Sequence, residues 1–468
     1  MRRADWAALA ILLGLTMPAA AFDRAVGKDA ERPNFVVIMA DDLGAAELGC
    51  YGNKPHRTPH LDRLAAGGMR FRTCWSTPLC TPTRVLIMTG QYGFRTGYYN
   101  FIHRAYSPTR TSPLYDIGSK TTFADLLKKA GYATGCVGKW QLTGDLPTLV
   151  RDCGFDEYKV WTWLHRLPEG IEHTGGWQSK AKRVPSRFWH PGILSNGRYV
   201  PSKPTDYGPD LYTDFAIDFM KRHRDGPFVL YFPMALTHTP WDATPNLKKP
   251  GEKTAKGLKS NVEYMDHLVG RIVKSLDELS LRKNTIVLFT GDNGTQGAGK
   301  AQVTEAGARV PLIVNCPSRV KSNVVSDELV DLSDVLPTLV DYAGAKIPKG
   351  HAIDGHSLRS TLEGKPGSHR EWIFSYLANK RMLRDGRWLL EGDGRFYDCG
   401  KNRDGSGYSD VTDSTDRDVI AARKRFELLL ANLPAPSADQ DLVRPGKNSS
   451  KKSAKKKDKK RPRKPKTR

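Results

Sequence analysis

The chain has 468 residues, 26% of them charged, with a formal net charge of +23. That length exceeds what one small core needs and predicts one large domain plus a smaller one. No apolar run beyond the N-terminus is long enough to cross a bilayer, which argues against stable membrane insertion. No C-x-x-C spacing occurs either, which argues against a thiolate zinc site.

Residues 1–21 read as a secretory signal peptide. Arg2 and Arg3 form a basic start, Trp6 to Met17 an apolar stretch, and Ala19-Ala20-Ala21 a small-residue cleavage site before Phe22. A single N-terminal anchor is the competing reading, but the stretch is short for a membrane span. The protein is therefore expected to be periplasmic or secreted. Its seven cysteines, at positions 50, 74, 80, 136, 153, 316 and 399, are an odd number. In an exported chain an odd count suggests one thiol with another fate.

In chain order, the apolar run Asn34 to Met39 predicts a buried strand, and Pro59 to Ala66 a helix. A helix opens at Pro82 and continues from Arg84 to Thr89. Thr122 to Ala130 is the next helix, stopped by Gly131, and Tyr132 to Val137 the next strand. A helix over Leu211 to Arg222 leads into the strand Phe228 to Phe232. The long amphipathic helix Asn261 to Leu279 precedes the strand Thr285 to Phe289. Val310 to Val314 is another strand and Ser333 to Ala343 another helix. Helices alternating with short apolar strands indicate an α/β layered domain, here assigned to residues 22–349. The stretch from about 161 to 210, rich in Trp, His, Pro and Gly, reads as a loop-rich insertion. Residues 350–443 read as a smaller β-rich subdomain, with strands over Trp372 to Tyr376, Met382 to Leu390 and Arg395 to Tyr397.

Residues 444–468 form a basic tail without aromatics. From Lys447 to Arg468 it holds thirteen Lys or Arg against one acid, Asp458. Such a tail cannot bury a core and is expected to be disordered. It is either a solvated extension or an electrostatic tether to an anionic polymer. Nucleic acid is the weaker partner for an exported chain.

The polar candidates fall at strand ends, where ligands bind in open α/β sheets. Asp41-Asp42 is a double carboxylate and Asp292-Asn293 adds a carboxylate and an amide oxygen. An oxygen-only set favours a hard cation such as calcium or magnesium. Each pair alone also fits an ordinary acidic turn or cap. Arg84, Lys139 and Lys300 are cations that could surround a sulfate or phosphate group and stabilise charge moving to a leaving oxygen. His238 could protonate that oxygen. Cys80-Thr81-Pro82-Thr83-Arg84, followed by Thr89-Gly90, opens one of the helices, and by itself fits a half-buried cysteine with Pro82 in the first turn.

Taken together and in order, these segments resemble the type I sulfatases. The pentapeptide at Cys80 resembles their C-x-P-[S/T/A]-R signature. Arg32-Pro33-Asn34 through Asp41-Asp42 is similar to their first metal motif, and Gly131-Tyr132 through Gly138-Lys139-Trp140 to their second signature. Thr237-His238-Thr239-Pro240 and Asp292-Asn293-Gly294 match as well. Lys300 through Glu305, Gly307, Arg309 and Pro311 follows the K-x-x-x-x-E-x-G-x-R-x-P block. The resemblance implies an alkaline-phosphatase-like fold: a large mixed β-sheet flanked by helices, with a smaller C-terminal α+β subdomain. It implies that a maturase oxidises Cys80 to formylglycine, whose hydrated form is the nucleophile. Asp41, Asp42, Asp292, Asn293 and the modified Cys80 would hold one calcium ion. Arg84 would polarise the formylglycine, Lys139 and Lys300 would bind the sulfate, and His238 with Lys300 would assist the leaving alcohol.

One position departs from the family. Where the family reads G-K-W-H-L-G, this chain has Gly138-Lys139-Trp140-Gln141-Leu142-Thr143. That histidine is the usual base for release of sulfate, and glutamine cannot accept a proton at neutral pH. The expected activity is hydrolysis of an organic sulfate ester, with a sulfated carbohydrate as the favoured substrate. A phosphodiesterase or phosphonate monoester hydrolase of the same superfamily, and a catalytically silent binder of sulfated polymers, are the alternatives.

Overall fold

The computed structural model describes residues 32–101, 117–142, 149–162, 175–180, 184–365 and 369–435. The expected signal peptide, the basic tail and part of the insertion lie outside these residues. The strands before residue 350 are β1 (Asn34–Ala40), β2 (Met69–Trp75), β3 (Ala133–Gly138), β4 (Glu157–Trp161), β5 (Trp177–Ser179), β6 (Val184–Pro185), β7 (Ile193–Ser195), β8 (Arg198–Val200), β9 (Phe228–Pro233), β10 (Thr285–Gly291), β11 (Leu312–Asn315) and β12 (Val324–Asp331). Ten of them form one sheet in the order β12-β2-β11-β10-β1-β9-β3-β4-β7-β8, while β5 and β6 pair separately. The centre, β10-β1-β9-β3-β4, is parallel. Antiparallel pairings of β10 with β11 and of β4 with β7 make the sheet mixed.

Strand β1 shows why the apolar runs predict this centre. A parallel strand is covered on both faces, so every residue must be apolar rather than every second one. All seven residues of β1 are buried. Phe35, Val37 and Met39 enter one apolar core, with the helices Cys80–Thr89, Phe123–Lys129 and Val335–Ala343. Val36, Ile38 and Ala40 enter the core on the other face, with the helices Pro59–Ala66, Gly208–Arg222 and Leu258–Glu278. Local signals set the helix starts. Thr122 and Asp125 form a reciprocal capping box ahead of Phe123. The helix at Pro59 lacks a side-chain cap of its own, and Asp266 of the helix Leu258–Glu278 accepts from His60 N (3.1 Å) and Leu61 N (2.8 Å) instead.

The C-terminal part is an antiparallel meander of β13 (Trp372–Leu377), β14 (Lys380–Asp385), β15 (Trp388–Leu390), β16 (Phe396–Asp398) and β17 (Ser409–Asp410), followed by the helix Arg417–Asn432. Phe426 of that helix meets Phe396 edge-on at 5.7 Å. The expected single strand over Met382 to Leu390 is in fact two. Asp385 Oδ1 accepts from Arg387 N (2.7 Å) and Trp388 N (2.6 Å), which closes a turn over Gly386. Within the loop-rich insertion, β7 and β8 extend the main sheet. Among the described residues no helix is long and apolar enough to cross a membrane. No disulfide joins any two cysteines among the described residues.

Candidate active site

Parallel strands bring their C-terminal ends to one edge of the sheet. Ala40 lies opposite Gly291, so Asp41 and Asp292 leave the sheet side by side. Lys139 leaves β3 with its N–H on the Pro233 carbonyl of β9, 2.7 Å away. Gly138 must be glycine there: its φ is +116°, and a Cβ would stand 2.2 Å from the Pro233 oxygen. Beyond β9, Asp41 N donates to Leu236 O and Thr237 N to Asp41 O, both at 2.7 Å, which carries His238 to the same edge. Asp42 and Gln141 take left-handed conformations, with φ of +57° and +47°, that turn the chain sharply at the ends of β1 and β3.

The helix Cys80–Thr89 delivers its N-terminus to this edge. All ten of its residues are buried, and Gly90 ends it in a left-handed cap. Thr83 fastens the entering loop, accepting from Thr77 N (3.0 Å) and sharing a 2.7 Å hydroxyl contact with Thr77 Oγ1. The helix start carries partial positive charge, yet burial pushes the Cys80 thiol above its ordinary value, with Lys139 opposing that shift. That burial disfavours the thiolate form of Cys80.

The charged residues form one buried array. Lys139 Nζ donates to Asp41 Oδ1 (2.8 Å) and Oδ2 (2.6 Å). Lys300 Nζ donates to Asp42 Oδ2 (2.6 Å), and Asn293 Nδ2 to Asp42 Oδ1 (2.9 Å). Asp292 accepts from Asp42 N (2.8 Å) and from Arg84 Nη2 (2.7 Å), and the other Arg84 nitrogen donates to the Lys139 carbonyl at 2.7 Å. His238 Nδ1 lies 2.5 Å from the Thr239 carbonyl. A carbonyl only accepts, so Nδ1 carries the hydrogen and Nε2 is the acceptor facing Lys300 Nζ at 3.1 Å. Burial, and then repulsion by Arg187, holds His238 well below the usual imidazole range. Lys300 is thus the proton-bearing member of this pair.

The carboxylates respond differently to their shared burial. Burial alone would raise Asp41, but the charges of Lys139, Arg84 and Arg187 outweigh it and hold the carboxyl well below its ordinary range. Asp42 is raised by burial and then by Asp41. Asp292 is raised to about 7 by the same two causes, despite Arg84. Asn293 Oδ1 is buried without a hydrogen-bond partner. Crowded carboxylates with an orphaned amide oxygen fit a hard divalent cation. Asp41, Asp42 and His238 offer ligand atoms within 4.8 Å of one another.

Of the residues expected from the sequence, Asp41, Asp42, Arg84, Lys139, His238, Asp292, Asn293 and Lys300 are joined by these contacts. Cys80 interacts electrostatically with Lys139, Asp292, Asp41 and Lys300. Gln141 stands apart: it is buried and its Oε1 bonds to nothing. Sequence reasoning missed Arg187, whose Nη1 lies 3.7 Å from Asp41 Oδ2. It sits in an insertion without periodicity, so no pattern singled it out. Also missed was the brace on the Lys300 loop. Glu305 pairs with Arg384 of β14 (2.7 Å), Glu305 N donates to Glu391 (2.8 Å), and Gly392 N donates to Val303 O (2.8 Å).

Comparison with known proteins finds relatives over most of the chain. The sulfatase family model matches residues 33–345. The chain is 32% identical to mouse (Mus musculus) steryl-sulfatase, over 76% of this chain and 69% of that one. It is 29% identical to the N-acetylgalactosamine-6-O-sulfatase of Bacteroides thetaiotaomicron, over 77% of this chain and 83% of that one. The crystal structure of Ps i-CgsB in complex with k-i-k-neocarrahexaose superposes with a TM-score of 0.71 at 26% identity, covering 88% and 96% of the two chains.

Proposed function

This chain belongs to the sulfatase family of sulfuric ester hydrolases, and from that premise we propose that it is exported and cleaves a sulfated carbohydrate at Cys80 converted to formylglycine. The observation that carries the reading is the meeting of Cys80, at a buried helix N-terminus, with the Lys139–Asp41 and Lys300–Asp42 pairs. The glycan assignment draws on the relative acting on N-acetylgalactosamine-6-O-sulfate and on the neocarrahexaose complex of Ps i-CgsB. One calcium ion would be held by Asp41, Asp42, Asp292, Asn293 and the modified Cys80, and when bound it supplies positive charge at the sulfate group.

Formylglycine at position 80, when present, would supply a hydrated aldehyde as the nucleophile toward the sulfate ester. The remaining work falls to this chain's side chains. Lys139 and Lys300 bind sulfate oxygens and stabilise the charge that shifts toward the leaving oxygen. Lys300, hydrogen-bonded to His238 Nε2, holds the proton that the departing alkoxide takes. Arg84 is fixed by Asp292 and the Lys139 carbonyl, which keeps its charge beside the first turn of the helix that bears Cys80. Gln141 cannot take a proton, so release of sulfate in this chain relies on another acceptor.

Mass spectrometry of the peptide around Cys80 from the native host tests the reading. The expected result is a loss of about 18 Da relative to cysteine, the balance of replacing a thiol by an aldehyde oxygen, together with turnover of an aryl sulfate. An unmodified thiol in turnover-competent protein would falsify the mechanism. Gln141, buried with its Oε1 unpaired, favours one second reading: a binder of sulfated polymers without turnover. Converted Cys80 with glycan binding and no sulfate release would select it.

A further inference from the structure

Building on the sulfatase reading, we infer that Arg187 is an additional substrate-binding residue, which holds a sulfate oxygen beside Lys139 and Lys300. Arg187 follows β6, outside every motif that identifies the family. Its guanidinium is nonetheless directed to the catalytic edge, with Nη1 3.7 Å from Asp41 Oδ2. The same Asp41 oxygen receives Lys139 Nζ at 2.6 Å. An anion gripped by Lys139 is therefore within reach of Arg187 as well.

The side chain is built to point there. Its carbon Cζ stacks 4.2 Å from the Trp161 ring centroid, and Nε donates to Gln178 Oε1 at 3.1 Å. The backbone is seated against the helix Gly208–Arg222: Gly208 N donates to Phe188 O at 2.7 Å, and a Cβ on Gly208 would stand 2.3 Å from the Arg187 carbonyl. Stacking and close packing fix the plane of the guanidinium, so little freedom remains to be lost when it binds a ligand.

What Nη1 lacks is a hydrogen-bond acceptor. Arg187 is 4% exposed, and its Nη1 has no hydrogen-bond partner. Asp41 does not need it, since both Asp41 oxygens already accept from Lys139. A buried guanidinium N–H left without an acceptor costs free energy. An oxyanion from outside the chain removes that penalty, and a planar guanidinium suits two of its oxygens at once. The sulfate group of the substrate has that chemistry.

The rival account is that Arg187 only offsets the charge of Asp41. Inorganic sulfate separates the two. Its affinity for the calcium-loaded full chain is measured by calorimetry, and its inhibition of aryl sulfate turnover by kinetics. In Arg187→Gln the sulfate dissociation constant and the KM are expected to rise by about tenfold to a hundredfold, the worth of a charge-assisted hydrogen bond. Arg187→Lys, which keeps the charge without the fork, is expected to lose less, and it carries the comparison if the glutamine variant does not fold. Sulfate affinity within twofold of wild type in folded Arg187→Gln, or in Arg187→Lys where only that variant folds, would overturn the assignment. Calorimetry does not need turnover, so a wild-type chain that binds sulfate without hydrolysing esters would refute the enzymatic reading and leave this comparison intact.

Discussion

Two buried acidic clusters lie in this molecule, and they are bonded in opposite ways. At the end of β12, Asp331 and Asp334 are saturated. Asp331 Oδ1 accepts from Ser333 N and Oγ, and Oδ2 from Tyr92 Oη (2.6 Å) and Arg370 Nη1 (3.0 Å). Asp334 Oδ1 accepts from His356 N and Arg370 Nη2, and Oδ2 from Asp331 N and His369 Nε2. Every carboxylate oxygen there has two donors. At the ends of β1 and β10, each oxygen of Asp41, Asp42 and Asp292 has one donor. In three of those six bonds the donor is a lysine ammonium. Burial of charge is common to both clusters, so burial alone does not mark function. Spare acceptor capacity does, because only the second cluster can take a cation and a ligand without first breaking its own frame.

That contrast can be broken experimentally. The largest effect is expected for Arg370→Ala, which leaves Asp331 and Asp334 buried without their shared cation and should destabilise the fold by about 3–5 kcal/mol. Denaturant melts measure this, and turnover per folded molecule should hold at low temperature. Lost turnover with unchanged stability would mean that the β12 cluster is not merely a clamp. Lys300→Ala should do the reverse, lowering kcat by about 10²–10³ with little change in the melt. A large loss of stability there would erase the distinction. Calcium sharpens it further: at a hundred times its dissociation constant a bound ion adds about 2.7 kcal/mol. Chelation should remove that increment from the wild type and not from Asp42→Asn, and equal responses would place the ion elsewhere.

Legibility in the sequence follows the same physical divide. The central strands were readable because parallel strands buried on both faces must be continuously apolar, as in Asn34–Ala40 and Phe228–Pro233. Strands β2, β4 and β12 were not, because each carries polar residues on a half-covered face, as in Met69-Arg70-Phe71-Arg72. The helix Arg417–Asn432 buries only Ala422 and Phe426, too narrow a stripe to stand out. The turn at Asp385-Gly386 did carry a hairpin signal that the long apolar run obscured.

The sequence by itself determined the chemistry of the site: three carboxylates, an amide, two lysines, an arginine, a histidine and a cysteine, placed just past apolar runs that had to become strands. The tertiary structure alone decided which charge meets which. Lys139 reaches back 98 residues to Asp41 and Lys300 258 residues to Asp42. Those partnerships depend on the strand order β10-β1-β9-β3, which no local pattern encodes. The same folding brings Arg187 to Asp41 from a segment without periodicity. Motifs report what a short stretch can do, whereas charge pairing across the edge of a sheet is set by how distant strands pack.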